Sequence, residues 1–231
     1  FYLSYSYYLL ESYEKAISYQ ELTIDMITNH TLSGYSLEEN YSNLAEFYKK
    51  NKNYSKMYES LIAARDFNPE YWLVRNNLSE YYMITKNYEK ALEEIEKAIS
   101  LAPDNPAPFD TMGDLQLEIG NIDNALNFYF KSIQVDSTFA KAFYHIAAVY
   151  EKQEHPDFIE YYQKASELGN SEAELWVLKN KRLINDQKSK KSKPAASNNY
   201  IEELKKLAEL KSLGIITEEE FEAKKKELLG L

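Results

Sequence analysis

Between Trp72 and Leu101 apolar residues recur at spacings of three and four. Leu78 and Tyr82 lie four apart, with Arg75 one turn earlier on the same side. Tyr88, Ala91, Leu92, Ile95, Ala98 and Ile99 form a second stripe. That spacing is the period of an amphipathic helix, so two helices are expected, Trp72–Lys86 and Tyr88–Leu101. Lys86 and Asn87 mark the turn between them. Pro103, with Asp104 and Asn105, closes the second helix, because proline cannot continue one. The helix–turn–helix–turn pattern returns every 34 residues: Tyr54, Tyr88 and Ile122; Leu44, Leu78 and Met112; Ala64, Ala98 and Ser132; Ala45, Ser79 and Gly113. A period this regular marks stacked units rather than one closed core. The small residues at 45, 79, 113 and 147, with Ala91, Ala98 and Ala125 opposite, are expected where paired helices approach closely. Tyr48, Tyr82, Tyr129 and Tyr150 fill the wider gaps.

These positions resemble the tetratricopeptide repeat, whose pattern runs large residue, Leu-Gly, Tyr, then Gly and Tyr at the turn, then Ala, aromatic, Ala and Pro. The unit 38–71 keeps Tyr41, Leu44, Tyr48, Tyr54, Ala64 and Pro69. The unit 72–105 keeps Leu78, Tyr82, Tyr88, Ala91, Ala98 and Pro103, with Arg75 in place of the aromatic. The unit 106–139 keeps Phe109, Met112, Gly113, Gly120, Ala125 and Tyr129, with Ser137 in place of proline. The unit 140–171 keeps Phe143, Ile146, Ala147, Tyr150, Tyr162 and Ala165, and lacks one residue near His155 and Pro156. Upstream, Tyr13-Glu14-Lys15-Ala16 copies Tyr88-Glu89-Lys90-Ala91, so residues 1–30 read as a partial unit, with Leu3, Ser4 and Tyr7 at the Leu-Gly-Tyr positions. An insertion near Thr31–Leu37 follows it. Residues 171–183 are expected to form one capping helix. The resemblance implies an all-α fold over residues 1–183, a right-handed solenoid of antiparallel helix pairs.

Composition excludes several chemistries. The 231 residues contain no cysteine, which removes disulfides, thiolate metal sites and cysteine nucleophiles. No apolar run approaches the roughly 18 residues of a membrane helix. His30, His145 and His155 form no pair with metal-ligand spacing, and no glycine-rich phosphate loop occurs. No catalytic residue, cofactor or metal is therefore expected. The net charge of −10 is uneven: residues 1–178 carry 14 basic and 28 acidic residues, and residues 179–199 carry seven basic residues and one acid. An acidic body repels a phosphate backbone, which argues against nucleic acid as the ligand of the repeats.

The C-terminus has a different pattern. Residues 184–199, with Lys188, Lys190, Lys191 and Lys193 ahead of Pro194, are expected to form a basic flexible linker. Ile201, Leu204, Leu207, Ala208 and Leu210 then define a helical stripe that stops at Gly214. Thr217 and Glu220 form a capping box before a second helix that carries Phe221, Leu228 and Leu229, and Ile216 with Phe221 reads as a hydrophobic staple. The run Leu213-Gly214-Ile215-Ile216-Thr217-Glu218-Glu219-Glu220-Phe221, followed by Lys224, Lys225, Leu228 and Leu229, closely resembles the short C-terminal domain of bacterial proteins known as SHOCT. That resemblance implies a small helical hairpin over 200–231 acting in oligomerisation or partner docking through Leu204, Leu207, Leu210, Ile216, Phe221 and Leu228. So small a domain without metal or disulfide usually needs another surface to stay folded.

The expected function is a non-catalytic scaffold for protein–protein interaction. In the repeat family the first helix of each pair lines the concave face. By that resemblance Glu46, Glu80 and Asp114 share one register, and Ser42, Asn76, Asp110 and Tyr144 share the next. Stacked acids repel one another unless a cation or hydrogen-bond donor arrives. A groove contacting Glu46, Asn76, Glu80, Asp110, Asp114 and Tyr144 is thus expected to take a basic or amide-rich protein segment, the other reading being a solvated face. Homo-oligomerisation through the hairpin is the second expected interaction. A cytoplasmic location is expected, with a periplasmic or anchored one left open because the chain begins at Phe1. The alternative is a regulatory part of a larger protein whose N-terminal portion carries an enzyme or a membrane anchor.

Overall fold

Thirteen α-helices and no strand make up the described residues of the computed structural model, which are residues 2–192, Leu207, Lys211 and 217–229. In chain order they are α1 (Tyr2–Leu9), α2 (Tyr13–Thr28), α3 (Leu37–Lys50), α4 (Tyr54–Phe67), α5 (Trp72–Ile84), α6 (Tyr88–Leu101), α7 (Pro106–Glu118), α8 (Ile122–Val135), α9 (Ala140–Lys152), α10 (Phe158–Glu167), α11 (Ser171–Lys179), α12 (Lys181–Ser192) and α13 (Glu218–Leu229). The chain divides into two compact units, residues 1–175 and 176–231.

In the first unit α1 to α10 pack as five consecutive antiparallel pairs, α1 on α2 through α9 on α10. One turn closes all five. A residue with positive φ stands at Glu11, Lys52, Lys86, Gly120 and Glu154. The N–H of the next residue reaches back across the helix end: Ser12 to the Tyr7 carbonyl, Asn53 to Tyr48, Asn87 to Tyr82, Asn121 to Gln116 and His155 to Tyr150, all at 2.8–2.9 Å. These bonds satisfy carbonyls that a helix end otherwise leaves unpaired. They offset a left-handed conformation that costs a non-glycine residue about 1–2 kcal/mol. Asn53 and Asn87 then cap the following helix, their Oδ1 atoms accepting from Lys56 and Lys90 N–H.

Each pair is held by the residues the period predicts. Leu61, Ala64, Leu78, Ala91, Ile95, Ala98, Ala125 and Ile146 are almost wholly buried. Ser79 fills its close-approach position and donates from Oγ to the Ala91 carbonyl at 2.8 Å. Arg75, where the repeat usually has an aromatic, donates to Glu94 Oε2 at 3.0 Å and twice to the Pro69 carbonyl. It ties α5 to α6 and to the loop before α5. The partial first unit is anchored by buried amides: Ser4 Oγ donates to Gln20 Oε1, and Gln20 Nε2 donates to Asn40 Oδ1 at 2.8 Å. Ser36 caps α3 after the insertion.

Two expectations are corrected at the C-terminal side. The single capping helix over 171–183 is two helices, interrupted at Asn180, whose Nδ2 donates to the Trp176 carbonyl. An amide side chain that bonds the backbone in this way competes with the helix ladder. The helical conformation also continues through residues 184–192, inside the segment expected to be linker. Lysine, glutamine and serine are tolerable helix residues, and no glycine or proline intervenes before Pro194.

In the second unit the capping box at Thr217 is formed. Thr217 N–H donates to Glu220 Oε2 at 2.9 Å, and Glu220 N–H donates to Thr217 Oγ1 at 3.2 Å. Lys211 pairs with Glu218 at 2.6 Å and lies 4.8 Å over the Phe221 ring. Leu207 is buried and Phe221 half-buried. Leu204, Leu210, Gly214, Ile216 and most of the expected first hairpin helix lie outside the described residues, as does the Leu228 side chain.

Gly113 generates a test of the packing. A Cβ at Gly113 would stand 2.4 Å from Cε1 of the fully buried Tyr129. Gly113→Ala is expected to cost about 1–3 kcal/mol in urea denaturation. In a Tyr129→Leu background the same change should be close to neutral. Additive effects of the two substitutions would contradict this account.

Candidate functional site

The first helices of successive pairs in the N-terminal unit touch one another, α3 with α5 and α5 with α7, whereas successive second helices do not come as close. The first helices therefore lie on the inside of the curve. Glu46 of α3, Asn76 and Glu80 of α5, Asp110 and Asp114 of α7, and Tyr144 of α9 stand on them.

The chain supplies its own cations to this row of acids. Lys49 Nζ stands 2.9 Å from Glu46 and 2.6 Å from Glu80, bridging two units. Lys141 stands 2.9 Å from Asp110 Oδ2 and 3.6 Å from Asp114 Oδ2. His145 Nδ1 lies 2.9 Å from Asp110 Oδ1 and 3.1 Å from Asp114 Oδ1. Tyr129 OH donates to Asp114 at 2.8 Å, and Tyr8 OH donates to Glu46 at 3.3 Å. The acids thus form two clusters, Glu46–Lys49–Glu80 and Asp110–Asp114–Lys141–His145.

Burial and pairing pull the ionisable groups in opposite directions. Burial opposes the charge of Lys49, but Glu80 and Glu46 outweigh it and hold the ammonium above its usual range. Burial also opposes a charged His145, yet hydrogen bonds to Asp110 and Asp114 raise its pKa from 6.5 to about 9. The same contact and Lys141 hold Asp114 below the usual carboxylate range against its burial. Burial, then Glu46, pushes the Tyr8 phenol up to about 12.

Of the residues expected to line the groove, Asn76 and Asp110 are buried rather than presented on its surface, at 4% and 0% exposure. Asn76 Oδ1 and Asp110 Oδ2 accept no hydrogen bond among the described residues, although the Lys141 ammonium faces the latter. Glu46, Glu80, Asp114 and Tyr144 are half-buried. Sequence reasoning missed Lys49 and His145. Lys49 follows Glu46 by three residues, one helical turn, which is a readable signal. His145 lies 31 and 35 residues from its two carboxylates, and only stacking of α9 on α7 joins them. Asp110, Asp114 and His145 offer three ligand atoms within 4.8 Å of one another, the one group of three or more such residues among the described residues.

The raised pKa of His145 has a definite sign. The group binds its proton more tightly folded than unfolded, so its stabilisation is fully present below pH 6.5 and is lost as pH rises through about 9. Asp110, Asp114 and Lys141 face the ring, with Tyr129 and Tyr144 beside it. Chelator-treated protein is expected to lose on the order of 2 kcal/mol across this interval. The loss should be largely absent in His145→Gln, as read by denaturation at a series of pH values.

Comparison with known proteins follows the same division of the chain. Residues 72–105 match the tetratricopeptide repeat, and residues 202–229 match the short C-terminal domain, SHOCT. No curated protein matches the chain. Among solved structures, TTC0263, a thermophilic TPR protein of Thermus thermophilus, is similar with TM-score 0.65 and 20% identity, over 79% of this chain and 96% of that one. A chain of the APC/C hetero-tetramer Cut9–Hcn1 has TM-score 0.59 and 13% identity, over 71% of this chain and 32% of that one. MamA from Desulfovibrio magneticus RS-1 has TM-score 0.50 and 16% identity, over 73% of this chain and 92% of that one. Residues 72–105 are thus similar to a tetratricopeptide repeat and residues 202–229 to the SHOCT domain, and the paired helices have the fold of tetratricopeptide-repeat solenoids.

Proposed function

We propose that the chain is a non-catalytic scaffold that holds an extended, amide-rich protein segment along α3, α5, α7 and α9, with the C-terminal hairpin supplying self-association. The observation that carries this reading is the internal pairing of the acidic row. Four carboxylates, Glu46, Glu80, Asp110 and Asp114, face Lys49, Lys141 and a charged His145, so one negative charge remains. A basic segment would have to displace cations that already sit 2.6–2.9 Å from their partners. An amide-rich segment can bond the remaining carboxylate oxygens and the Tyr144 hydroxyl without displacing them. The repeat match and the solenoid fold support a protein partner, because stacked helix pairs offer long binding surfaces. The SHOCT match supports a second association point, and two linked weak sites gain avidity from effective concentration. No described helix is long and apolar enough to cross a membrane.

Fluorescence polarisation with amide-rich, lysine-rich and acidic peptide sets tests the groove. Amide-rich peptides are expected to bind with little salt dependence and to lose affinity roughly tenfold on Tyr144→Ala or Glu80→Ala. Preferential, steeply salt-dependent binding of lysine-rich peptides would overturn the reading. The solution mass of the chain with and without residues 200–231 tests the hairpin. A species larger than a monomer that falls to monomer on truncation is expected, and a monomer in both forms would remove the self-association role.

A further inference from the structure

We propose that Asp110, Asp114 and His145 form a binding site for a divalent transition-metal ion of the zinc class, with Lys141 as the cation that the metal displaces. The donors come from two repeat units. Asp110 and Asp114 lie one turn apart on α7, and His145 comes from α9 of the next pair. His145 Nδ1 stands 2.9 and 3.1 Å from the two Oδ1 atoms. An ion about 2.0–2.2 Å from nitrogen and oxygen ligands places adjacent donors about 3 Å apart; the nitrogen already stands at that spacing from each oxygen, and the three ligand atoms lie within 4.8 Å of one another.

The environment of Asp110 is a second observation. Its side chain is wholly buried, and Oδ2 accepts no hydrogen bond of proper geometry; its counterpart is the Lys141 ammonium at 2.9 Å. A buried carboxylate is where a cation gains most from reduced dielectric screening. Lys141 is the most exposed member of the cluster, its side chain 45% exposed against 0% for Asp110. When it swings into solvent, one coordination position opens toward the groove side for water or a ligand. With a dipositive ion, two carboxylates and a neutral imidazole, the site is then electrically balanced.

The surroundings also hold the ligands in place. Tyr129 OH donates to Asp114 Oδ1 at 2.8 Å, and the Tyr129 ring is fixed against Gly113. A hydrogen bond of this kind orients a ligating carboxylate. The donor set selects the metal. One imidazole nitrogen with two carboxylates suits zinc, cobalt or nickel, whereas magnesium and calcium require an all-oxygen shell of six or more ligands. This site uses the same Asp110–Asp114–His145 cluster as the peptide-binding reading, but its test is read on metal alone, without a peptide.

The test is a zinc titration of the chelator-treated full chain by calorimetry, in a non-coordinating buffer at ~pH 8, with binding coupled to release of the imidazole proton. A single saturable ion per chain and a rise in melting temperature are expected with zinc, and neither with magnesium. His145→Gln and the near-isosteric Asp114→Asn, each checked for helix content by circular dichroism, should weaken binding roughly tenfold or more. His30→Gln and His155→Gln should leave it unchanged. Lys141→Ala should tighten zinc binding, because it removes the competing ammonium; a cluster that served only as an ion-pair network would not behave so. The proposal is overturned by the absence of saturable binding below about 1 mM zinc. It is equally overturned by binding that survives both His145→Gln and Asp114→Asn, or by a Lys141→Ala variant that binds zinc no better than the parent.

Discussion

The solenoid depends on the close approach of two helices at one small residue per unit. Ala45, Ser79, Gly113 and Ala147 are each buried. At Gly113 the tolerance is tightest, because the Tyr129 ring occupies the space a methyl group would take. The approach distance in turn sets the position of Tyr129 OH and of Asp114 beneath it. A packing constraint in the core thus positions a polar group on the inner helix face. Turn chemistry enforces the same register from the ends. The left-handed residue at 11, 52, 86, 120 and 154 is a glycine in one case out of five, and the backbone bonds that follow it offset the conformational cost in the others.

Electrostatics on the inner face follow from stacking rather than from any single helix. Viewed along one register, Glu46, Glu80 and Asp114 look like an excess of negative charge. Lys49 belongs to α3 yet reaches Glu80 on α5, and Lys141 and His145 belong to α9 yet reach Asp110 and Asp114 on α7. Two units therefore balance charge on a neighbour, and these ion pairs cross the interfaces between units. In a solenoid, where stability is approximately a sum of units and nearest-neighbour interfaces, such pairs act on the interface contribution. Removing one partner leaves a largely buried charge without compensation, which costs more than the pair itself contributes.

The C-terminal unit shows how far local chemistry reaches. Thr217 and Glu220 satisfy each other's backbone N–H groups as a capping box, an interaction contained within four residues. Lys211 reaches Glu218 and the face of Phe221 across the segment before that helix. The helix over residues 181–192 shows the opposite case, in which high charge and low mean hydropathy suggest a linker. Absence of apolar residues removes a reason to pack but does not remove helix propensity.

By itself the sequence determined the helix-pair architecture, the turn after Lys86 and the capping box. All of these rest on interactions between residues a few positions apart, or on a period that repeats in plain view. Only the tertiary structure decided which acids remain in excess of cations, that Asn76 and Asp110 are buried, and that His145 has two carboxylate neighbours. Those outcomes depend on contacts 27 to 35 residues apart in sequence, between helices whose own patterns carry no record of one another. The reason is physical: periodicity reports which face of a helix turns inward, whereas pairing across units depends on the distance and angle at which one inward face meets the next.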